Sequence, residues 1–326
     1  MAQPDQTQSI FSNLDDYGGD EEYSKWRRTA KLWKNSLSKQ WGMLTDDNLV
    51  VFGMVTITFF IGVAIFAPYI APYPPTERVW DGALIVQWEN PYWYGGEGGH
   101  ILGTTAEGYD IFSQVVYGTR PALIVGLAGA VFTAGLGTMI ALIAGYYGGV
   151  VDDILMRLVD VAYGLPLLPT VILMVAVLGP GFVNVIIAVV LLQWRSSARV
   201  IRSQVLSLRE RPFVQAAKVT GASDWRIITR HIAPNILPLS FLYGAFAIAW
   251  AILTEAGVSF IGLGDPGQVS WGTMLQNAQT YNALSQETWW WFVPPGICIA
   301  LVVISGFLIG RGYEEITNPK LRSKGS

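Results

Sequence analysis

Few side chains in this sequence could do covalent, acid–base or metal chemistry. The only histidines are His100 and His231, and the only cysteine is Cys298. The histidines fall on opposite sides of the apolar runs, so neither a metal cluster nor a histidine-activated nucleophile can assemble from them. Cys298 lies within an apolar run and reads as a small buried hydrophobe, with no disulfide framework. No Gly-x-x-x-x-Gly-Lys-Ser/Thr loop occurs, so the chain has no loop of its own to cradle ATP phosphates. Gly262-x-Gly264 is a lone glycine pair and reads as a turn. The expectation is a chain that is not an enzyme and binds no cofactor or metal.

The carboxylates offer two candidates. Glu255 is the one carboxylate inside an apolar run, and an ionisable group inside a membrane span is a pathway or gating candidate by default. It stands near the end of its run, where a structural hydrogen bond is the competing role. Asp160, with Asp152 and Asp153, flanks a connection between spans; gating competes there with a solvated face or pairing with Arg157.

The most distinctive stretch is "FVQAAKVTGASDWRIITRHIAPN", residues 213–235. Pro212 suits the first turn of a helix and Gly221 its end. Ser223 suits the cap of a second helix that is expected to stop by Pro234. Ala216 and Ala217 leave one side of the first helix thin, able to seat in a groove on another protein. A basic amphipathic loop resting on anionic lipid is the alternative. The alanine pair with a glycine four positions on does not follow from that alternative.

The elements that carry this hairpin are apolar. Hydrophobic residues make up 52% of 326, charged residues 14%, and mean hydropathy is +0.38, whereas a soluble domain carries about 25% charged residues. Uncharged runs at about 49–72, 121–145, 161–179, 182–194, 238–258 and 289–310 read as six transmembrane helices, since about 20 residues cross a bilayer core. Every Lys and Arg except Arg78 and Arg120 then falls on one side, which places both termini in the cytoplasm of a multi-pass cell-membrane protein. The expected division is a disordered cytoplasmic leader (1–22), an amphipathic interfacial helix (23–48), a six-helix domain (49–310) and a cytoplasmic tail (311–326). Within the domain, 73–120 is expected to be an extracytoplasmic loop and 195–237 a cytoplasmic one. Trp26, Ala30, Trp33, Leu37 and Trp41 share one face of the interfacial helix, with basic residues around the rest. No cleavable signal peptide is expected behind the polar leader. Gly126, Ala130 and Ala134, then Gly137, Ala141 and Gly145, repeat at four-residue spacing and would let another helix approach closely.

The 213–235 stretch resembles the cytoplasmic signature of ABC importer permeases: Glu-Ala-Ala, three residues, Gly, nine residues, Ile-x-Leu-Pro. Gln215 replaces the Glu; Ala216, Ala217 and Gly221 match; Pro234 is kept and the leucine is lost. "HILGTTAEGYDIFSQVVYGTRPALIVGL" (100–127) is similar to the His-Pro-Leu-Gly-Thr-Asp opening of the dipeptide, oligopeptide and nickel importer permeases, with Ile101 and Thr105 as departures. "YYGGVVDDILMRLVDV", "EAGVSFIGLG", "SWGTML" and "RGYEEITNPKLR" follow in family order, so the likeness covers about 45–322, closer to the second permease of such pairs. The resemblance implies an all-α membrane fold with a coupling-helix loop. It also implies a heterodimer with a second permease, two ATPase subunits that bind ATP and Mg, and an extracytoplasmic binding protein that delivers substrate. In that arrangement Gln215, Ala216, Ala217, Gly221, Ala222, Asp224 and Pro234 form the ATPase-docking and coupling surface.

Short peptides are the first expectation for cargo, with nickel chelates, oligosaccharides or other small solutes as alternatives; nucleic acid is not expected as a partner. An ion-gradient-driven transporter is the distant rival, and it should show ionisable residues in mid-span, which apart from Glu255 these spans lack. The outer segment 73–99, rich in Pro, Trp, Tyr and Gly, could serve either as a docking surface for the binding protein or as a packed loop.

Overall fold

The computed structural model describes residues 44–81 and 84–317, with side chains through Glu314. The leader, most of the expected interfacial helix and the final basic residues lie outside the described residues. The regular structure of the described residues is helical apart from one antiparallel hairpin with two residues in each strand.

Helix α1 (Asn48–Ile70) is the first span. A loop bearing β1 (Trp80–Asp81) and β2 (Leu84–Ile85) leads to α2 (Ile111–Tyr147), which at 1.5 Å per residue is about 55 Å long. This helix starts ten residues before the apolar run because it carries Arg120 and Pro121 inside it. Arg120 Nε donates to the carbonyl of Ala64 on α1, and its guanidinium lies over Tyr117, so the charge is spent within the bundle.

Gly148 and Gly149, both at positive φ, turn the chain into α3 (Gly149–Gly164). The expected third span is not one straight helix. Pro166 forces Leu165 into an extended conformation, and α3 meets α4 (Leu167–Leu178) at 87°. With 12 residues, α4 reaches about 18 Å, short of a full bilayer core, so the sixth crossing exists only as this bent pair.

Helix α5 (Phe182–Arg209) runs well past the apolar segment that predicts it. The hairpin follows as α6 (Pro212–Val219) and α7 (Asp224–Ile227). The helix does not stop by Pro234. A π-turn at Ile228–Ile232 carries it into α8 (Ala233–Val258), where Pro234 occupies the first turn, so the helical path runs on from Asp224 to a kink at Gly262, where φ is +88°. A second π-turn (Ser259–Leu263), α9 (Trp271–Thr280) and α10 (Trp289–Thr317) complete the fold.

The small residues of α2 face two partners. A Cβ on Gly126 would stand 3.0 Å from Ile248 and Ile252 of α8, and Gly244 of α8 faces Ala130 and Ala134. A Cβ on Gly137 would lie 1.9 Å from Ser197 Oγ and 2.9 Å from the Trp194 carbonyl of α5, and one on Gly145 2.7 Å from Val205. The first triplet therefore seats α8 and the second α5. Ser197 Oγ donates to the Thr133 carbonyl (2.8 Å) and Thr138 Oγ1 to Ser240 Oγ (2.6 Å), adding polar ties across both seams. Trp271 of α9, fully buried, fits against Gly118 of α2 and donates to the Val115 carbonyl.

Gly137→Ala should lower the thermal stability of the detergent-solubilised chain by about 1–3 kcal/mol, because the Trp194 carbonyl cannot move aside. Gly135→Ala, where a Cβ meets nothing within 4 Å, should leave it unchanged or slightly raised. Thermal unfolding of the two variants side by side checks this.

Candidate docking hairpin and its supports

Four arginines on α5 hold the end of the bundle from which the hairpin projects. Arg195, Arg199, Arg202 and Arg209 are spaced four, three and seven residues apart, which puts them on one helical face. Arg195 Nη1 donates to the carbonyls of Ala162 and Leu165, closing the C-terminus of α3. Arg199 pairs with Asp160, and Arg202 grips both carboxylate oxygens of Asp152. The expected partner, Arg157, is not the one used. Arg209 Nη1 donates to the Gly145 and Tyr146 carbonyls (3.3 and 3.2 Å), satisfying the C-terminus of α2. From Arg195 to Arg209 the helix climbs about 21 Å beyond its apolar part.

The hairpin rests on this platform. Val214, Ile227, Ile228 and Ile232 are buried in one cluster with Ala141, Tyr146, Ile201 and Val205, and Ala217 and Ala222 pack at its edge. Tyr146 Oη donates to Asp224 Oδ1 (2.6 Å), and Lys218 Nζ lies over the Tyr146 ring. Gln215 Nε2 donates to the Arg209 carbonyl (3.0 Å). Gly221 takes φ +82°, a left-handed turn that a residue with a side chain enters only under strain. Ser223 stands at the N-cap of α7 but its hydroxyl makes no capping bond. Ala216 is exposed on the outer side of α6, and Pro234 is exposed in the first turn of α8.

What the hairpin presents outward is apolar as well as basic. Val219 is 87% exposed and Trp225 74%, with Phe213 also open, beside the exposed Arg211, Lys218, Arg226 and Arg230. Gln215, Ala216, Ala217, Gly221, Ala222 and Asp224 are thus brought together on one knuckle, while Pro234 lies beyond it. Glu255 is remote from it. It is buried and accepts from Ser259 Oγ (2.7 Å), tying the second π-turn to α8. Asp160 is exposed on α3, held by Arg199.

Residues 137–323 match the family described as the inner membrane component of binding-protein-dependent transport systems. The chain belongs to this family. Residues 36–87 match the N-terminal transmembrane domain of oligopeptide transport permease C. A di/tripeptide transport system permease protein of Pseudomonas aeruginosa is 31% identical over 90% of this chain and 95% of its own length. A dipeptide permease protein of Alkalihalophilus pseudofirmus is 35% identical over 86% of this chain and 88% of its own. A glutathione transport system permease protein of Pectobacterium atrosepticum is 31% identical over 87% and 91%. These relatives are named as permease proteins of transport systems, a non-enzymatic role, and the described residues of this chain hold five helices long and apolar enough to cross a membrane, six if the bent pair is one span.

At the far end of the permease bundle the loop is organised by residues whose pairing the sequence did not announce. His100 is buried; its Nδ1 donates to Asp110 Oδ1 (2.9 Å), and its Nε2 stands 3.6 Å from Glu89 Oε2. Asp110 in turn caps α2 by accepting from the Ser113 backbone and hydroxyl (2.8 and 2.7 Å). Gly103, at φ +73°, passes so close to the Glu89 carbonyl that any Cβ would collide with it. The His-Ile-Leu-Gly-Thr stretch is therefore a loop-folding device. The Asp110 hydrogen bond raises the His100 pKa above its ordinary value, helped by the Glu89 charge and opposed by burial.

A histidine with a raised folded pKa contributes stability that is whole below its unfolded value, about 6.5. That contribution is lost as pH rises through the folded value. The 73–110 loop should accordingly be cut faster by protease as pH rises above neutrality, after correction for protease activity, and His100→Gln should flatten that dependence. Limited proteolysis between pH 6 and pH 9 checks it.

Proposed function

We propose that this chain is the second permease subunit of an ATP-driven importer of short peptides, paired with a homologous permease and driven by two ATPase subunits through the 212–232 hairpin. ATP and Mg would sit on those partners, and an extracytoplasmic binding protein would deliver cargo at the 73–110 end. The excess of basic residues on that side favours a cytoplasmic location for the hairpin end and for both termini.

The observation that carries the docking role is the exposed Val219, Trp225 and Phe213 on a knuckle whose other side is buried in the bundle. Exposed large apolar groups rimmed by charge mark a protein interface. A lipid-lying loop is the competing reading, and it does not account for the alanine pair followed by the left-handed turn at Gly221. Gln215 in place of a glutamate keeps size and hydrogen bonding, and its amide is already engaged with the Arg209 carbonyl. The printed names of the relatives favour peptides as cargo, one of them glutathione. Closure of the ATPases on ATP would draw the knuckles together and switch the path between inward- and outward-facing forms by rigid-body motion.

Purified alone, the chain should show no ATP hydrolysis. Reconstituted with its permease partner, the two ATPases and the binding protein, it should support ATP-dependent peptide uptake. Ala216→Arg should reduce uptake by at least tenfold, the effect of about 1.4 kcal/mol at an interface, and so should Gly221→Val, while membrane insertion stays normal. Normal uptake in both variants, with ATPases still attached, would remove the docking assignment.

A further inference from the structure

Helix α3 carries a long apolar surface that no other described element covers. Val150, Ile154, Leu158 and Val161 recur every three or four residues and so form one row along the helix. All four are between 53% and 73% exposed. The bundle uses the opposite side: Val159 is buried with Ile140 of α2 and with Trp194 and Ala198 of α5, and Leu155 and Met156 pack against them. The two edges between these sides differ. One carries Asp153, Arg157 and Asp160, all exposed, and the other carries Val151.

Contacts with α5 and α4 fix where α3 lies. Its polar ties to α5 are made by Arg195, Arg199 and Arg202, the first charged residues beyond the apolar stretch 182–194. Helix α4 lies back along that stretch, with Val171 and Val175 packed among Val185, Ala188, Val189 and Leu192. Because α3 meets α4 at 87°, it lies across the end of the apolar stretch, near the plane of the membrane. The dimensions agree. The 12 residues of α4 span about 18 Å, against a hydrocarbon core about 30 Å thick. A helix lying flat adds its own diameter, about 10 Å. Helix α3 thus completes the crossing with its width, which sets its outward row at the depth of acyl chains.

We propose that α3 is an interfacial helix whose outward row, Val150, Ile154, Leu158 and Val161, is covered by lipid acyl chains, with Asp153, Arg157 and Asp160 turned to headgroups and water. A second protein fits the row less well. Helices of this chain meet at Gly and Ala, and protein interfaces are enriched in aromatic side chains and Arg. The row has none of these, only branched aliphatic side chains. An amphipathic helix of this kind sinks its apolar face about 5–10 Å into the boundary between headgroups and acyl chains. Through the three arginines it would hold the end of α5, and with it the root of the hairpin, at a fixed depth in the membrane.

The test uses the full-length chain with the subunits that co-purify with it, Cys298 replaced, in bilayers of phosphatidylethanolamine and phosphatidylglycerol. A nitroxide is placed on the row by Val150→Cys, Ile154→Cys, Leu158→Cys or Val161→Cys, and on the charged edge by Asp153→Cys or Arg157→Cys. Its collision rate is measured with oxygen, which concentrates among acyl chains, and with a water-soluble nickel chelate. Oxygen collisions should exceed nickel collisions at all four row positions, and the order should reverse at Asp153 and Arg157. Since each site is exposed, the labelled chains should keep the thermal midpoint of the unlabelled one. An excess of nickel collisions along the row would place it in water, and low rates with both reagents would mean that a protein covers it. Either result overturns lipid cover, and neither bears on the cargo or on the docking hairpin.

Discussion

Close approach of helices at small residues is the contact on which this structure depends. Lipid supplies no hydrophobic force between helices, so spans associate by close packing and a few hydrogen bonds. Gly126, Ala130 and Ala134 give α8 that approach, and Gly137, Ala141 and Gly145 give it to α5. A single methyl at Gly137 meets a fixed carbonyl. The seam is therefore intolerant of sliding, and helices joined this way move together or separate outright.

The hairpin inherits that rigidity. It hangs from α5 by the turn after Arg209, is pinned to the end of α2 through Tyr146 and Asp224, and continues through a π-turn into α8. All three helices of the seam thus meet one short knuckle. A push on Val219 or Trp225 would reach the spans through packed side chains and a continuous helix. The arginine face of α5 extends the same frame to α3, whose C-terminal carbonyls and carboxylates it satisfies.

Much of this was legible in the sequence where the physical signal is local. Apolar length located α1 and α10 closely, Pro212 and Gly221 fixed the start and turn of the hairpin, and small-residue spacing identified the seam. The misreadings share one cause, a long-range partner that changes what a residue costs. Arg120 looked like a loop residue because the Ala64 carbonyl that receives it lies 56 positions away. The run from Arg195 to Arg209 looked like a loop because charge was counted without its face; the four-, three- and seven-residue spacing was there to be read. Pro234 looked like a stop, yet the π-turn at Ile228–Ile232 just before it lets the helical path continue into α8. Of the site, the Asp224–Tyr146 contact and the Glu89–His100–Asp110 cluster were beyond reach, since nothing in their spacing brings them together.

The knuckle and the bundle pack as one body, so a force applied to the first would move the second. With Cys298 replaced, spin labels at Val150 on α3 and Ser223 on the hairpin, both exposed, report their separation directly. The measurement belongs in assembled complexes that still take up substrate, without nucleotide and with ATP trapped. If the two are one body, the distance distribution is the same in both states. A distance that shifts or broadens when ATP binds would mean that the knuckle swings on its own, and the lever described here would not exist.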